Sequence, residues 1–323
     1  MNLKELARLA GVSAATVSKA FSDAEDVSSA TKEKIFKLAK EYGCYGKYHK
    51  GKYLKKVIAI ICPELTSGYY CELTDTLRTI LEKNGCIAVI SSYDFNFQKQ
   101  AELIEYYASY LKVDGIYVFH MKSSPKKGYE IPIIGLLSVE NNGIDEISLD
   151  FKAPIKEAID GLYNLGHRSF AFLGEKLTAT KESFFKEALQ GYKDVEFFCY
   201  SAASRFEKAG EEGVKALSKS APHTTAIVCG YDYIAIGAIK ELENSGLKVP
   251  EDVSVIGTDN LSIGKYTELS TIDTTPNEIC LTAWDLMEKK LENKYFKSMQ
   301  RIVIKGKVIF RRSVSRAKNS ENI

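Results

Sequence analysis

The sequence predicts an α/β protein: two doubly wound parallel-sheet lobes, with a small all-α helix-turn-helix domain at the N-terminus. Two observations carry this expectation. In residues 1–46 the apolar residues recur at helical spacing. From Val57 onward short apolar runs alternate with amphipathic segments, the pattern of parallel sheets built from right-handed crossovers. The runs are too many for one small sheet, so they divide between two lobes.

Composition sets the outer limits. A chain of 323 residues buries a substantial core, and 45% hydrophobic with 27% charged residues is ordinary for a globular protein. No apolar run approaches membrane-spanning length, so no membrane contact is expected. The opening "MNLKELARLAGV" is amphipathic, carries an acid and has no apolar h-region, so a cytoplasmic location is expected. Seven cysteines and four histidines are dispersed without paired spacing, which predicts reduced thiols, no metal site and no cofactor. Residues 1–56 hold twelve Lys/Arg against six Asp/Glu, while the remainder is slightly acidic. A basic head on an acidic body points to a polyanion partner for the head, or to a solvated basic helical surface.

Within the head, Asn2 is a suitable cap for "LKELARLA", whose Leu3, Leu6, Ala7 and Ala10 form one stripe. Gly11 supplies the turn, and Ser13 caps "AATVSKAF". Ala7, Gly11 and Val17 have the spacing that a helix-turn-helix requires. "VSSATKEKIFKLAKEYG" follows as a third helix with Ile35, Phe36, Leu38 and Ala39 inward. Such a unit places its second helix in the DNA major groove, so Ser13, Ala14, Ala15, Thr16, Ser18 and Lys19 are the candidate DNA contacts. A protein-binding three-helix module is the alternative reading of the pattern. The string "LARLAGVSAATVSKAF" resembles the heads of the LacI family of transcription regulators, which read much like "DVAxxAGVSxxTVSRxLN".

In the body, "VIAIIC", "CIAVISS", "VDGIYVF", "IPIIGLL", "SFAFLG", "VEFFCY", "TAIVCG" and "VSVIGTD" read as strands. Between them lie helices such as "YYCELTDTLRTILEKNG", "QAELIEYYASYLK", "APIKEAIDGLYNLG" and "DYIAIGAIKELENSG". Here too the resemblance holds. "LGHRSFAFLG" is similar to the family's "LGHRRIAFIG", and "CGYDYIAIGAIKELENSGLKVPEDVSVIGTDN" to "CANDxxAxGAxxALxxxGxxVPxDVSVVGFDD". It implies a periplasmic-binding-protein-like body at 57–323 that forms a homodimer. It also implies a pseudo-palindromic operator DNA partner and a small-molecule, sugar-like effector held between the lobes. The expected boundaries are a head at 1–46, a hinge at 47–56, a first lobe at 57–151 plus 275–296, and a second at 152–274 plus 297–316. Repression is the commoner output of the family, and some relatives answer to a partner protein or to no effector.

The resemblance assigns effector contacts to Tyr69, Tyr70, Asp150, Phe151, Lys181, Tyr231, Asp232 and Asp259. Asp232 has a second reading as a helix cap, and Tyr69 and Tyr70 as rim residues. The pattern departs from the family where Lys181 replaces an Arg, Phe184 a Gly, Phe151 an Asn and Tyr231 an Asn. These exchanges remove an Arg fork and two amides, which suggests a pocket more aromatic than the usual sugar site. An enzymatic body finds no support, since the sequence has no "GxxxxGK" phosphate loop, "GxSxG" elbow or "HExxH".

The linker "YGCYGKYHKGKYLKK" is basic, and Lys47, Lys50 and Lys52 can lie along phosphates. The family inserts a Leu-bearing hinge helix here, but Gly46 stands in place of Pro-Asn, and Gly51 interrupts any helix. The segment is therefore expected to lack regular structure without DNA; Tyr48 or Tyr53 could take the place of the Leu as a wedge in the minor groove, but packing on the body is the expectation for either.

Overall fold

The chain divides into two folding units, Met1–Lys56 and Val57–Ile323. The computed structural model describes residues 1–22, 24–48, 55–122, 129–138, 143–292 and 298–318.

The first unit holds α1 (Leu3–Ala10), α2 (Ala14–Phe21), α3 (Ser29–Glu41) and a single turn, α4 (Tyr45–Tyr48). Asn2 and Glu5 cap α1 reciprocally. The Asn2 side chain accepts from the Glu5 amide at 2.9 Å, and the Glu5 carboxylate accepts from the Asn2 amide at 2.8 Å. Gly11 ends the helix at φ 68°, a left-handed conformation that favours glycine. Leu6, Ala7, Ala10, Val17, Phe21, Ile35 and Ala39 close a core shared by all three helices.

The linker starts later than expected. Phe21 and Phe36 leave an aromatic face that two tyrosines one helical turn apart can cover, so Tyr45 and Tyr48 fold onto it. Their ring centroids each lie 5.8 Å from that of Phe21, and the Tyr48 hydroxyl donates to the Met1 carbonyl at 2.9 Å. Lys47 and Tyr48 thus belong to a helical turn of the head, and Tyr48 packs on the head instead of the body. Lys50, Lys52 and Tyr53 lie outside the described residues.

The second unit contains two six-stranded sheets. The first comprises β1 (Val57–Cys62), β2 (Ile87–Ser92), β3 (Gly115–Phe119), β4 (Ile133–Leu136), β5 (Asp145–Asp150) and β11 (Arg301–Lys305). Its order is β11-β5-β4-β3-β1-β2, with every pairing parallel. The second comprises β6 (Ser169–Glu175), β7 (Glu196–Ala202), β8 (Ala226–Cys229), β9 (Ser254–Asp259), β10 (Ser270–Asp273) and β12 (Lys307–Ile309). Its order is β12-β10-β9-β8-β6-β7, and β12 is antiparallel to β10. Strands such as β1 read as unbroken apolar runs because helices cover both faces of a parallel sheet.

Helices α5 (Gly68–Lys83), α6 (Phe97–Glu105) and α12 (Pro276–Glu292) flank the first sheet. Helices α7 (Lys152–Asn164), α8 (Ala179–Leu189), α9 (Phe206–Ser220), α10 (Asp232–Asn244) and α11 (Ser262–Tyr266) flank the second. The chain passes between the sheets after β5, after β10 and between β11 and β12. The last passage corrects the expected lobe boundary, which placed all of 297–316 in the second lobe. β11 pairs with β5 from Arg301 opposite Glu146 to Lys305 opposite Asp150, so the chain crosses only at Gly306. A β-carbon at Gly306 would lie 3.1 Å from the Asp273 carbonyl oxygen, so the crossing strands approach closely there.

Candidate functional site

Ser13 caps α2, its hydroxyl accepting from the Thr16 amide at 3.0 Å. With Val17, Ala20 and Phe21 turned inward, Ala15, Ser18 and Lys19 face solvent. Ala14 and Thr16 are half-buried, and Ala14 packs against the core, so its surface is less available than the helix position suggests. Lys19 pairs with the Asp26 carboxylate, a contact that holds Asp26 below its ordinary range.

In the body, loops beyond the carboxyl ends of the strands enclose a cavity of about 440 Å³. Open parallel sheets bind ligands at this end. Tyr69 and Tyr70 enter it from the start of α5, Asp150 and Phe151 from the end of β5, and Lys181 from α8. Tyr231 precedes α10, and Asp259 ends β9. Seven of the eight sequence-predicted contacts thus share one cavity.

The exception is Asp232, which is completely buried behind the wall. Its carboxylate accepts from the Leu261 amide at 2.8 Å and from the Thr271 hydroxyl at 2.7 Å, tying α10 to the β9–β10 connection. Burial pushes it up to about 6. It is therefore a structural carboxylate that neither lines the cavity nor caps its own helix by a side-chain hydrogen bond.

Of the lining residues with positive φ, which include His120, Leu137 and Phe206, Asp259 is the most strained. Its φ of 110° lies in a region that side-chain-bearing residues rarely adopt, and it is followed by Asn260 at φ 57°. Its carboxylate stands 3.7 Å from the Lys181 ammonium, with only 7% and 16% of the two side chains exposed. Burial pushes the Asp259 carboxyl above the ordinary carboxylate range, opposed by Lys181. Burial also pushes Lys181 down, opposed by Asp259. Lys181 donates to the Gly230 carbonyl at 2.7 Å and lies 4.4 Å from the centre of the Phe151 ring. Asp150 is half committed, since one oxygen accepts from the Lys152 amide at 2.8 Å to begin α7.

Other lining residues were not read from the sequence. His120 follows β3, and burial lowers it to about 4, so its ring is neutral near pH 7. Its Nδ1 faces the Leu137 carbonyl at 2.9 Å and therefore carries the proton, leaving Nε2 to accept from the Tyr70 hydroxyl at 2.8 Å. Glu175 ends β6, and Ser138, Arg205, Phe206 and Tyr233 are among the further lining residues. His120 and Glu175 could have been found from position, because each closes or directly follows an apolar strand run. Arg205 has no such signal. Phe184 lines the wall where the family pattern has Gly, so the exchange fills the cavity with an aromatic ring.

Residues 2–45 match the model of the bacterial regulatory proteins, lacI family, and residues 159–314 match the periplasmic binding protein-like domain. The chain belongs to the LacI family. The HTH-type transcriptional repressor PurR of Vibrio parahaemolyticus is 27% identical over 337 residues, covering 95% of this chain and 98% of that protein. Catabolite control protein A of Priestia megaterium is 26% identical, covering 97% of this chain and 99% of that protein. Among solved structures, a LacI family regulator from Silicibacter pomeroyi superimposes with a TM-score of 0.80 at 21% identity, covering 98% of this chain and all of that one. As a LacI family member, the chain is a DNA-binding transcriptional regulator and not an enzyme. Its fold is the two-lobed body with a helix-turn-helix head.

Proposed function

We propose that this regulator is a cytoplasmic, homodimeric repressor whose affinity for a pseudo-palindromic operator is set by a small polar metabolite in the interlobe cavity. Ser13, Ala15, Thr16, Ser18 and Lys19 form the DNA-reading face, with Ala14 at its edge and Lys47 toward the phosphates. Tyr69, Tyr70, Asp150, Phe151, Lys181, Tyr231 and Asp259 form the effector site. One observation carries the reading: a buried carboxylate on strained backbone faces a buried ammonium inside an aromatic-walled cavity. Keeping both charges there is costly, and such strain concentrates at functional sites. Aromatic faces beside a few fixed polar groups suit a sugar-like ring, which offers an apolar face and hydroxyls.

The test is thermal unfolding of the full chain against a panel of free sugars, sugar alcohols and nucleosides. A ligand of the native fold raises the melting temperature. The reading expects at least one member to do so, with the rise lost in Asp259→Ala. If no member shifts wild-type protein, the small polar metabolite is wrong, and a partner-protein input becomes the better reading.

A further inference from the structure

The two lobes are joined by side chains as well as by the chain crossings. Glu64 follows β1 of the first lobe, and Arg205 follows β7 of the second. Arg205 Nη1 and Nη2 donate to the two carboxylate oxygens of Glu64 at 2.9 and 2.7 Å, a two-pronged ion pair across the cleft. Glu64 is positioned by its own lobe, since the Thr66 hydroxyl donates to its Oε2 at 3.2 Å. Its side chain is 10% exposed, against 34% for Arg205, and it is not among the residues lining the cavity. Rings from both lobes flank the guanidinium. Its carbon lies 4.6 Å from the centre of the Phe206 ring and 5.6 Å from that of Phe95. Both rings stand on left-handed backbone, at φ 58° for Phe206 and 55° for Phe95. Such backbone is strained in side-chain-bearing residues and persists where its surroundings impose it. Here it places one ring from each lobe beside the same cation.

Within its own lobe Arg205 faces a second carboxylate. Glu175 ends β6, and one of its oxygens accepts from the Leu177 amide at 2.8 Å. Its Oε1 has no hydrogen-bond partner, and neither has Arg205 Nε. These two atoms are sealed from solvent and stand 3.9 Å apart. Folded proteins rarely leave buried polar atoms in this condition. A movement of about an ångström would bring the two within hydrogen-bond range and satisfy both at once.

We propose that Arg205 is a two-position clasp between the lobes. In the closed position it holds Glu64 across the cleft. When the lobes part, Glu64 leaves with the first lobe and the guanidinium turns to Glu175, whose unpaired Oε1 then gains a donor. The clasp is made of the chain's own side chains, so closure does not require a ligand. Opening does not leave the guanidinium without a carboxylate, so the two arrangements are close in free energy. The clasp therefore sets the lobe equilibrium on which any cavity ligand acts, whatever that ligand is.

The test is small-angle X-ray scattering and thermal unfolding of the full chain with no ligand added, compared at equal oligomeric state. Glu64→Gln removes the cross-cleft charge from a residue outside the cavity lining, and Arg205→Met removes the guanidinium. Circular dichroism confirms that both fold. Both variants should have a larger radius of gyration than wild type. Salt at about 1 M should move wild type in the same direction, because the partly exposed pair is screened. Glu175→Gln, whose amide oxygen can still accept from Leu177, should scatter as wild type does. In the double variant Glu64→Gln with Glu175→Gln, Arg205 loses both carboxylates, so the melting temperature should fall by more than the sum of the two single falls. Scattering of Glu64→Gln and Arg205→Met identical to wild type would overturn the clasp. Additive falls in melting temperature would overturn its second position.

Discussion

Asp259 and Lys181 lie 3.7 Å apart in the cavity, close enough to share charge and too far for a direct hydrogen bond. Each depends on the other to remain ionised in a site where burial works against both. A ligand hydroxyl between them would hydrogen-bond both groups without breaking the pair.

Asp259→Asn should therefore weaken binding of any panel sugar that stabilises wild type by roughly tenfold or more, since a charge-assisted hydrogen bond becomes a neutral one. Lys181, having lost the neighbour that supports its charge, should titrate lower in that variant. Calorimetric titration at two pH values checks both points. Unchanged affinity would remove Asp259 from the site.

Asp232 makes a pH prediction. Its folded value of about 6 lies above the ordinary 3.8, so the native state holds its proton to a higher pH than the unfolded chain. The stability this contributes is complete below about pH 4 and is lost as pH rises through 6, on the order of 3 kcal/mol in all. Asp232→Asn cannot titrate, so its urea-unfolding stability should fall less steeply across that window than that of wild type. Parallel pH profiles would show that Asp232 is ionised throughout.

Helices α9 and α10 cross backbone to backbone. A β-carbon on Gly237 would lie 1.9 Å from the Glu207 carbonyl oxygen, and one on Gly210 would lie 2.1 Å from that of Ile234. This crossing positions two cavity walls, because α9 follows Arg205 and α10 follows Tyr231. Gly237→Ala should destabilise the body by roughly 3 kcal/mol or more, the upper end for overpacking. A change below about 1 kcal/mol in chemical unfolding would show that the helices separate at little cost.

On the head, Lys19→Ala should weaken binding to an operator selected from random duplexes by roughly 5- to 100-fold at fixed salt. A phosphate contact would also make the salt dependence shallower by about one ion. Asp26→Asn, which frees Lys19 from its pair, should not weaken binding. Equal affinity of Lys19→Ala and wild type would remove α2 from the groove.

The strands that were legible in the sequence are those buried on both faces, such as "VIAIIC" and "VSVIGTD", where apolar runs cannot be mistaken for surface. β10 was missed because "STID" is buried through Ser and Thr hydroxyls instead of hydrocarbon: Ser270 donates to the Arg311 carbonyl at 3.2 Å and Thr271 to Asp232. β11 and β12 were missed as strands because they are short, largely exposed edges separated by one glycine. The cavity contacts beyond strand ends were legible where the family motif or the strand-end rule applied. Arg205 was not, because its role depends on Glu64, a residue 141 positions away in the other lobe. Asp232 matched a motif in sequence, yet its carboxylate points into the protein, and only side-chain geometry separates these two outcomes.

The central claim is that occupation of the interlobe cavity sets operator affinity. It is tested most directly by titrating the full chain into its selected operator with and without a saturating panel sugar, in wild type and Asp259→Ala. Operator affinity should change by at least about fivefold in wild type, the lower range of allosteric coupling, and not at all in Asp259→Ala. A sugar that binds the body tightly yet leaves operator affinity unchanged would contradict that claim.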